Sequence, residues 1–461
     1  MQILKVLFLA LFLSIFSFAQ SSPEVLQFKA HIGFGEAVER IVAQKFFDGD
    51  NKLVFVGIQS IQFWDVPTGK LLESRPHEIP NLDKFDMVVT ISPDGQKAVV
   101  LDSFTWRIIR KEKKVSATVW DLRTGKQIAI LKRPSESIRY AEWSKDGQTL
   151  LTLSGAYNDK KAEVSFWEGD SLDFKNSMLL TGNLRLHQLI RNGAQLFTVR
   201  VKYKDEVFGG ISQETYISVR STENAKVEQD LTYGVEHLLV ETWRKPLSAN
   251  ENFFVASASG KLLVWEIGAS NLPKYEITPN KKGGLIWFQN FSDDGKLLIA
   301  RQDKNLEFYD TETGKLESSI PNTKKYQSVN LLSDGTTLVL QNCDRADVFN
   351  FQTRQKLYEL KLVCKTFTDF AGTEMRDADA LNFHPNGKFL LTNSDKTVRV
   401  WNAKIGSLAQ TIVDPNRAEN KRKDNNKDDG LGRSAGWLRN GDFLFASGAD
   451  GKTILLWEMK K

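Results

Sequence analysis

Ser92-Pro93-Asp94-Gly95, followed by Trp120-Asp121 and then Thr124-Gly125-Lys126, decides the fold of this 461-residue chain. An Asp-Gly step is a hairpin turn, because glycine takes positive φ without a Cβ clash. The proline ahead of it presets its own φ at about −65°. The flanking residues alternate, so Met87 to Ile91 and Lys97 to Leu101 read as strands a and b. Ser116 to Trp120 reads as strand c, and Gln127 to Leu131 as strand d.

The same plan recurs along the chain in nine units of roughly 40 to 56 residues, the period of a repeat array. The other a–b turns are Phe47-Asp48-Gly49-Asp50, Ser144-Lys145-Asp146-Gly147, Arg191-Asn192-Gly193, Ser248-Ala249-Asn250-Glu251, Ser292-Asp293-Asp294-Gly295, Ser333-Asp334-Gly335, His384-Pro385-Asn386-Gly387 and Arg439-Asn440-Gly441. Strand c ends on Trp64, Trp120, Trp167, Val219, Trp265, Tyr309, Phe349, Trp401 and Trp457. An aromatic ring at one equivalent position in all units but that of Val219 is expected to pack between neighbouring units. Truncating such a ring to alanine costs about 3–5 kcal/mol. Length alone suggests two or three domains, but a repeat array overrides that prior because each unit needs only its neighbours.

The Ser-Pro-Asp-Gly turns, the Trp-Asp pairs and the Thr-Gly-Lys turns at 68–70, 124–126 and 313–315 resemble the WD-repeat (WD40-type) β-propeller family, over residues 24–461. The resemblance implies an all-β, single-ring propeller of four-stranded antiparallel blades. One departure is plain. The Gly-His pair that the family carries between strands d and a is absent, and only His31 sits near that place. The His-centred side-chain network of the family therefore does not carry over. Nine units predict nine blades, with eight the alternative. The chain ends near strand c of the last unit, Thr453 to Trp457, and the family commonly closes its ring with an N-terminal strand. Val25 to Ala30 has the alternation to supply it.

Residues 1–19 read as a signal peptide: Lys5 precedes an apolar run from Val6 to Phe18, and Ser17-Phe18-Ala19 places small residues at a cleavage site before Gln20. The run is shorter than the roughly 20 residues a bilayer span needs. No later stretch has that character, so the mature chain, 20–461, is expected to be exported, periplasmic or extracellular. A net charge of +5 against 62 basic and 57 acidic residues argues against nucleic acid as a partner. Cys343 and Cys364 are the only thiols. In a flat sheet their strand ends lie about 9.5 Å apart, two steps of about 4.8 Å, beyond bridging reach. Export permits a disulfide, so a bridge and two free thiols both stay open.

Catalytic patterns are absent. There is no Gly-x-Ser-x-Gly elbow, no phosphate loop and no sialidase-type aspartate box. His31, His77, His187, His237 and His384 are scattered without zinc-ligand spacing. Asp424, Asn426 and Asp428 start a calcium-like loop, but the glycine comes one place late and Ala435 stands where a bidentate glutamate belongs. No metal, cofactor or catalytic residue is assigned.

The long connections, at 73–86, 102–114, 155–163, 202–214, 363–378 and 411–435, all join strand b to c or d to a, whereas every c–d turn spans about four to seven residues. Antiparallel order puts b–c and d–a connections on one face, where binding loops vary without disturbing blades. Within that face Trp106, Arg107, Arg110, Lys111, Lys113 and Lys114 form a basic, alternating stretch suited to an acidic protein, an anionic glycan or a lipid headgroup. The expectation is an exported protein-interaction platform working through that face. A propeller enzyme with a site at the channel mouth, or a small-molecule or glycan binder, is the alternative.

Overall fold

The computed structural model describes residues 25–33, 39–82, 87–101, 117–132, 138–154, 161–205, 211–233, 238–281, 283–321, 323–332, 334–362, 365–368, 374–377, 380–394, 397–412, 415, 434–448 and 452–460. The fold is all-β, a propeller of nine antiparallel blades, as the repeat count predicts. No α-helix occurs among the described residues. Two compact units divide the chain: residues 31–379 with 450–453 hold seven blades, and residues 1–30, 380–449 and 454–461 hold two.

Blade 2 shows the plan, with strands Val88–Ile91, Lys97–Leu101, Ala117–Asp121 and Lys126–Leu131. Its a–b turn is a closed set of hydrogen bonds. The Ser92 hydroxyl donates to Asp94 Oδ1 (2.5 Å) and accepts from the Lys97 amide (2.9 Å), and the Asp94 carboxylate accepts from the Gln96 amide (3.0 Å). The same set recurs at Ser144 and Asp146, at Ser248 and Asn250, and at Ser292 and Asp294. These four serines are buried, so the hydroxyl must be satisfied inside the turn. Burial pushes the Asp294 carboxyl up, but the Ser292 hydroxyl and the Lys296 amide outweigh it and hold the group below its usual value.

The turn glycine serves two masters. Gly95 has φ of +71°, and a Cβ there would lie 2.7 Å from the Phe47 ring of blade 1. Gly441 likewise presses on His384 of blade 8, whose Nε2 lies 2.7 Å from the Gly441 carbonyl. Consecutive turns therefore stack, with the glycine of one against the opening residues of the one before.

Apolar clusters lie between consecutive blades. Phe197 of blade 4 meets Phe254 of blade 5 at a ring separation of 4.9 Å, and Phe254 meets Trp265 at 5.9 Å. All three are fully buried. Trp120, Trp167, Tyr309 and Trp457 are also buried, while Trp64, Phe349 and Trp401 are half-buried. Without the family's histidine, the indole N–H groups find other acceptors. Trp167 donates to the Thr152 hydroxyl (2.9 Å), Trp401 to Thr392 (3.0 Å), Trp120 to Thr118 (2.9 Å) and Trp265 to the Asn271 carbonyl (3.1 Å).

The N-terminal strand, Leu26–Gly33, pairs with Thr453–Met459 and completes blade 9. Gln410 of blade 8 clamps its backbone, accepting from the Leu26 amide (2.8 Å) and donating to the Leu26 carbonyl (3.0 Å). Phe28 packs edge-on against Trp457 at 5.7 Å, and Lys29 bridges to Glu458 at 2.8 Å.

Four expectations need correction. The irregular unit is the fifth, where three strands are joined by two isolated bridges. Its c–d connection, 267–274, also exceeds the expected length. Stretch 202–214 is mostly strand, and stretch 363–378 contains a hairpin, Lys365–Thr368 with Glu374–Asp377. In both, backbone pairing between the two arms takes residues that lack a strong alternating pattern.

Two predictions follow from these contacts. Gly95→Ala should lower stability by about 2–4 kcal/mol, combining left-handed strain with overpacking against Phe47. Gly335→Ala has similar φ (+65°) and open space around it, so it should cost only about 1 kcal/mol; urea melts of the pair compare the two effects. Removing residues 25–30 should expose the Thr453–Met459 edge and lower the melting temperature or cause aggregation; an unchanged cooperative melt would mean that the last blade does not need this strand.

Candidate functional site

Strand boundaries separate the two faces. Among the described residues, the strand ending at Leu101 precedes one that begins at Ala117, and the strand ending at Ile412 precedes one that begins at Ala435. In blade 4, strands b and c each run eleven residues (Gln195–Asp205 and Ile211–Ser221) and pair along their whole length. Most other blades use five or six in these strands. This hairpin projects beyond the blade on the b–c side. On the same side, at the start of the blade 6 inner strand, Leu285 is 51% and Trp287 42% exposed.

Trp106, Arg107, Arg110, Lys111, Lys113 and Lys114 lie outside the described residues, as do Asp424, Asn426 and Asp428. Cys343, in the b–c turn of blade 7, is buried and disulfide-bonded. Cys364, the other cysteine of the sequence, lies outside the described residues. His384 is part of a turn contact, and His77 Nε2 lies 3.1 Å from the Gly57 carbonyl. Burial pushes the His77 and His187 imidazoles down, and the Arg139 charge adds to this at His187. Among the described residues, no three His, Cys, Asp or Glu side chains are grouped to hold a metal ion.

The sequence does not reveal a cavity at the a–b turn end of blades 3, 4 and 5. It arises because the inner strand of blade 5 is broken. That segment bridges to its neighbour at Leu239 with Ser257 and again from Pro246, whose carbonyl accepts from the Val255 amide (3.0 Å), to Leu247 with Phe254, so residues 240–245 bulge between the two contacts. A 3-10 turn, Thr242–Arg244, fills the bulge. The buried Glu241 carboxylate pairs with Arg244 at 2.6 Å, and Arg244 donates to Gln289 of blade 6 (3.2 Å). Lys245 then takes φ of +49° ahead of Pro246. Proline and the lack of glycine in Ser248-Ala249-Asn250-Glu251 are the sequence signals that could have marked this blade as irregular.

Strain gathers around this cavity. Glu251 occupies the place where other turns carry glycine, with φ of +61°, and Arg191 and Asn192 have φ of +53° and +54°. Non-glycine residues in this region cost about 1–3 kcal/mol each and cluster at binding sites. The Glu251 carboxylate accepts from the Arg191 amide (2.7 Å) and lies 3.9 Å from Lys145, tying the turns of three blades together. The cavity measures about 510 Å³. A larger cleft of about 650 Å³ lies nearby; its Lys175 pairs with Glu168 (3.0 Å) and Glu223 (3.4 Å), and its Gln195 donates to Glu228 (2.5 Å).

The bulge yields a prediction with a pH sign. Burial pushes the Glu241 carboxyl up, partly offset by Arg244. Arg244→Met leaves that carboxylate without its cation and should cost about 1–3 kcal/mol, discounted because Arg244 is partly exposed. A carboxyl with a higher pKa folded than unfolded binds more protons in the folded state, so its contribution falls as pH rises through that range. The variant's deficit should therefore be larger in urea melts at about pH 8 than at about pH 5.

Comparison with known proteins agrees with the fold. The family model described as WD domain, G-beta repeat matches residues 373–402. A eukaryotic initiation factor crystal structure aligns with TM-score 0.52 and 12% identity, covering 83% of this chain and 90% of that one. The C-terminal WD40 domain of Sif2 aligns with TM-score 0.42 and 10% identity over 95% and 99% of the two chains. The Dos1 propeller gives 0.43 and 12% over 94% and 95%. No curated protein matches at the level of sequence. The chain is thus a nine-bladed β-propeller that carries a WD-type repeat at residues 373–402.

Proposed function

We propose that the chain is an exported protein-interaction platform whose partner docks on the face built by the b–c and d–a connections. The blade 4 hairpin carries this reading: its two eleven-residue strands pair along their whole length and extend on the b–c side. Exposed Leu285 and Trp287 supply apolar anchors there, and exposed tryptophan is enriched at protein interfaces. Binding of protein partners is a common role of WD-type propellers, in line with the matched repeat. Export, with residues 1–19 as the leader, gains support from the disulfide at Cys343, a bond that persists in oxidising compartments.

Pull-down from envelope extract followed by mass spectrometry tests the platform directly. A stoichiometric partner should be captured, and Trp287→Ala or charge reversal at Arg107, Arg110 and Lys111 should release it with the melting temperature nearly unchanged. Reversal of Lys70, Lys126 and Lys315, in the short c–d turns, is the matched control. Loss of capture from the control set alone would place the partner on the opposite face.

A further inference from the structure

We infer that the cavity made by the blade 5 bulge binds a short peptide with free ends, its ammonium on Glu142, its carboxylate on Lys245 and its apolar side chains against Trp143, Leu189 and Leu247. This goes beyond the platform reading and uses the other face. All five residues line the cavity of about 510 Å³, within the roughly 300–1,000 Å³ typical of small-ligand sites.

The charges sort themselves. Four charged side chains line the walls: Glu142, Lys145, Lys245 and Glu251. Lys145 and Glu251 lie 3.9 Å apart and offset one another. Glu142 and Lys245 are left over. The Glu142 carboxylate accepts from the Tyr140 hydroxyl (3.1 Å), and no cation among the described residues pairs with it. Burial pushes this carboxyl up, with the Tyr140 hydrogen bond partly offsetting it, which is the signature of a desolvated acid lacking its counter-charge. Lys245 has no carboxylate within ion-pair distance among the described residues; the acid it influences is Asp293, on the neighbouring turn of blade 6, outside the cavity lining. One unpaired acid and one unpaired base suit a zwitterion better than a simple cation or anion.

The remaining lining suits a peptide body. Trp143 and Leu189 are largely buried and Leu247 is 8% exposed, so their faces toward the cavity are apolar and fixed by packing. Gln188 adds an amide that can both donate to and accept from a peptide group. The strained backbone at Lys245 and Glu251 holds two of the four charges in place, the arrangement expected where a binding geometry is kept at a cost in stability.

Isothermal titration with Leu-Leu, N-acetyl-Leu-Leu and Leu-Leu amide tests the assignment on the unaltered protein. Leu-Leu should bind saturably, and each blocked form should bind about tenfold or more weakly, since each leaves one charge of the cavity wall without its counterpart. Glu142→Gln should bind Leu-Leu as weakly as the unaltered protein binds the acetylated form, and Lys245→Met should bind it as weakly as the amide. Both variants should keep the parent's near-UV circular dichroism. Equal binding of all three peptides, or no saturable binding of Leu-Leu by the unaltered protein, would overturn the inference, whether or not the variants fold.

Discussion

The buried serine at the start of the a–b turn holds more of this structure in place than its size suggests. Its hydroxyl accepts from the first amide of strand b and donates to the acid or amide two residues on. That closes the hairpin and fixes the register of the two inner strands. The next constraint follows from closure. Once the turn is tight, the residue after the acid must take positive φ, and it comes to lie against the turn of the preceding blade. Ser-x-Asp-Gly is thus a local hydrogen-bond rule and a packing rule between blades at the same time, which explains why the same four letters mark unit after unit.

Between the turns, stability comes from apolar layers shared by neighbouring blades rather than from a single centre. Strands b and c bury their faces on both sides, so Leu53 to Val56 and Phe253 to Ala256 read as continuous apolar runs. The tryptophans at the end of strand c would be costly in such layers if their N–H groups had no acceptor. Threonines at Thr152 and Thr392 on strand b meet that need. The family's histidine is therefore dispensable here, because a β-branched hydroxyl residue both fits a strand and closes the indole's hydrogen bond.

Blade 5 breaks the local rules in three places at once. Its turn has no glycine, its inner strand contains Pro246, and Thr242–Arg244 coils instead of pairing. The blade survives because its outer layers are among the best filled in the molecule, with Phe254, Leu262, Leu263 and Trp265 buried on either face. A well-packed outer blade can carry an irregular inner edge, and an irregular inner edge is what opens a cavity beside the charged side chains of blades 3 and 4.

The sequence by itself determined the fold class and the number of blades, and the resemblance it carries implied the closing role of the N-terminal strand. Those depend on short-range patterns: turn chemistry, two-residue alternation and a repeat period, each readable from neighbours in the chain. It also located blade 2's strands to within about one residue, because its Pro-Asp-Gly turn leaves no second register. Tertiary structure alone decided how the Arg191-Asn192-Gly193 turn is held, since its first amide is bound by a carboxylate from the next blade, Glu251. It alone decided the state of Cys343, which the sequence left open. And it alone brought Glu142, Gln188 and Lys245 onto one cavity. They sit on three different blades, and no spacing along the chain encodes a meeting that arises only when blades stack.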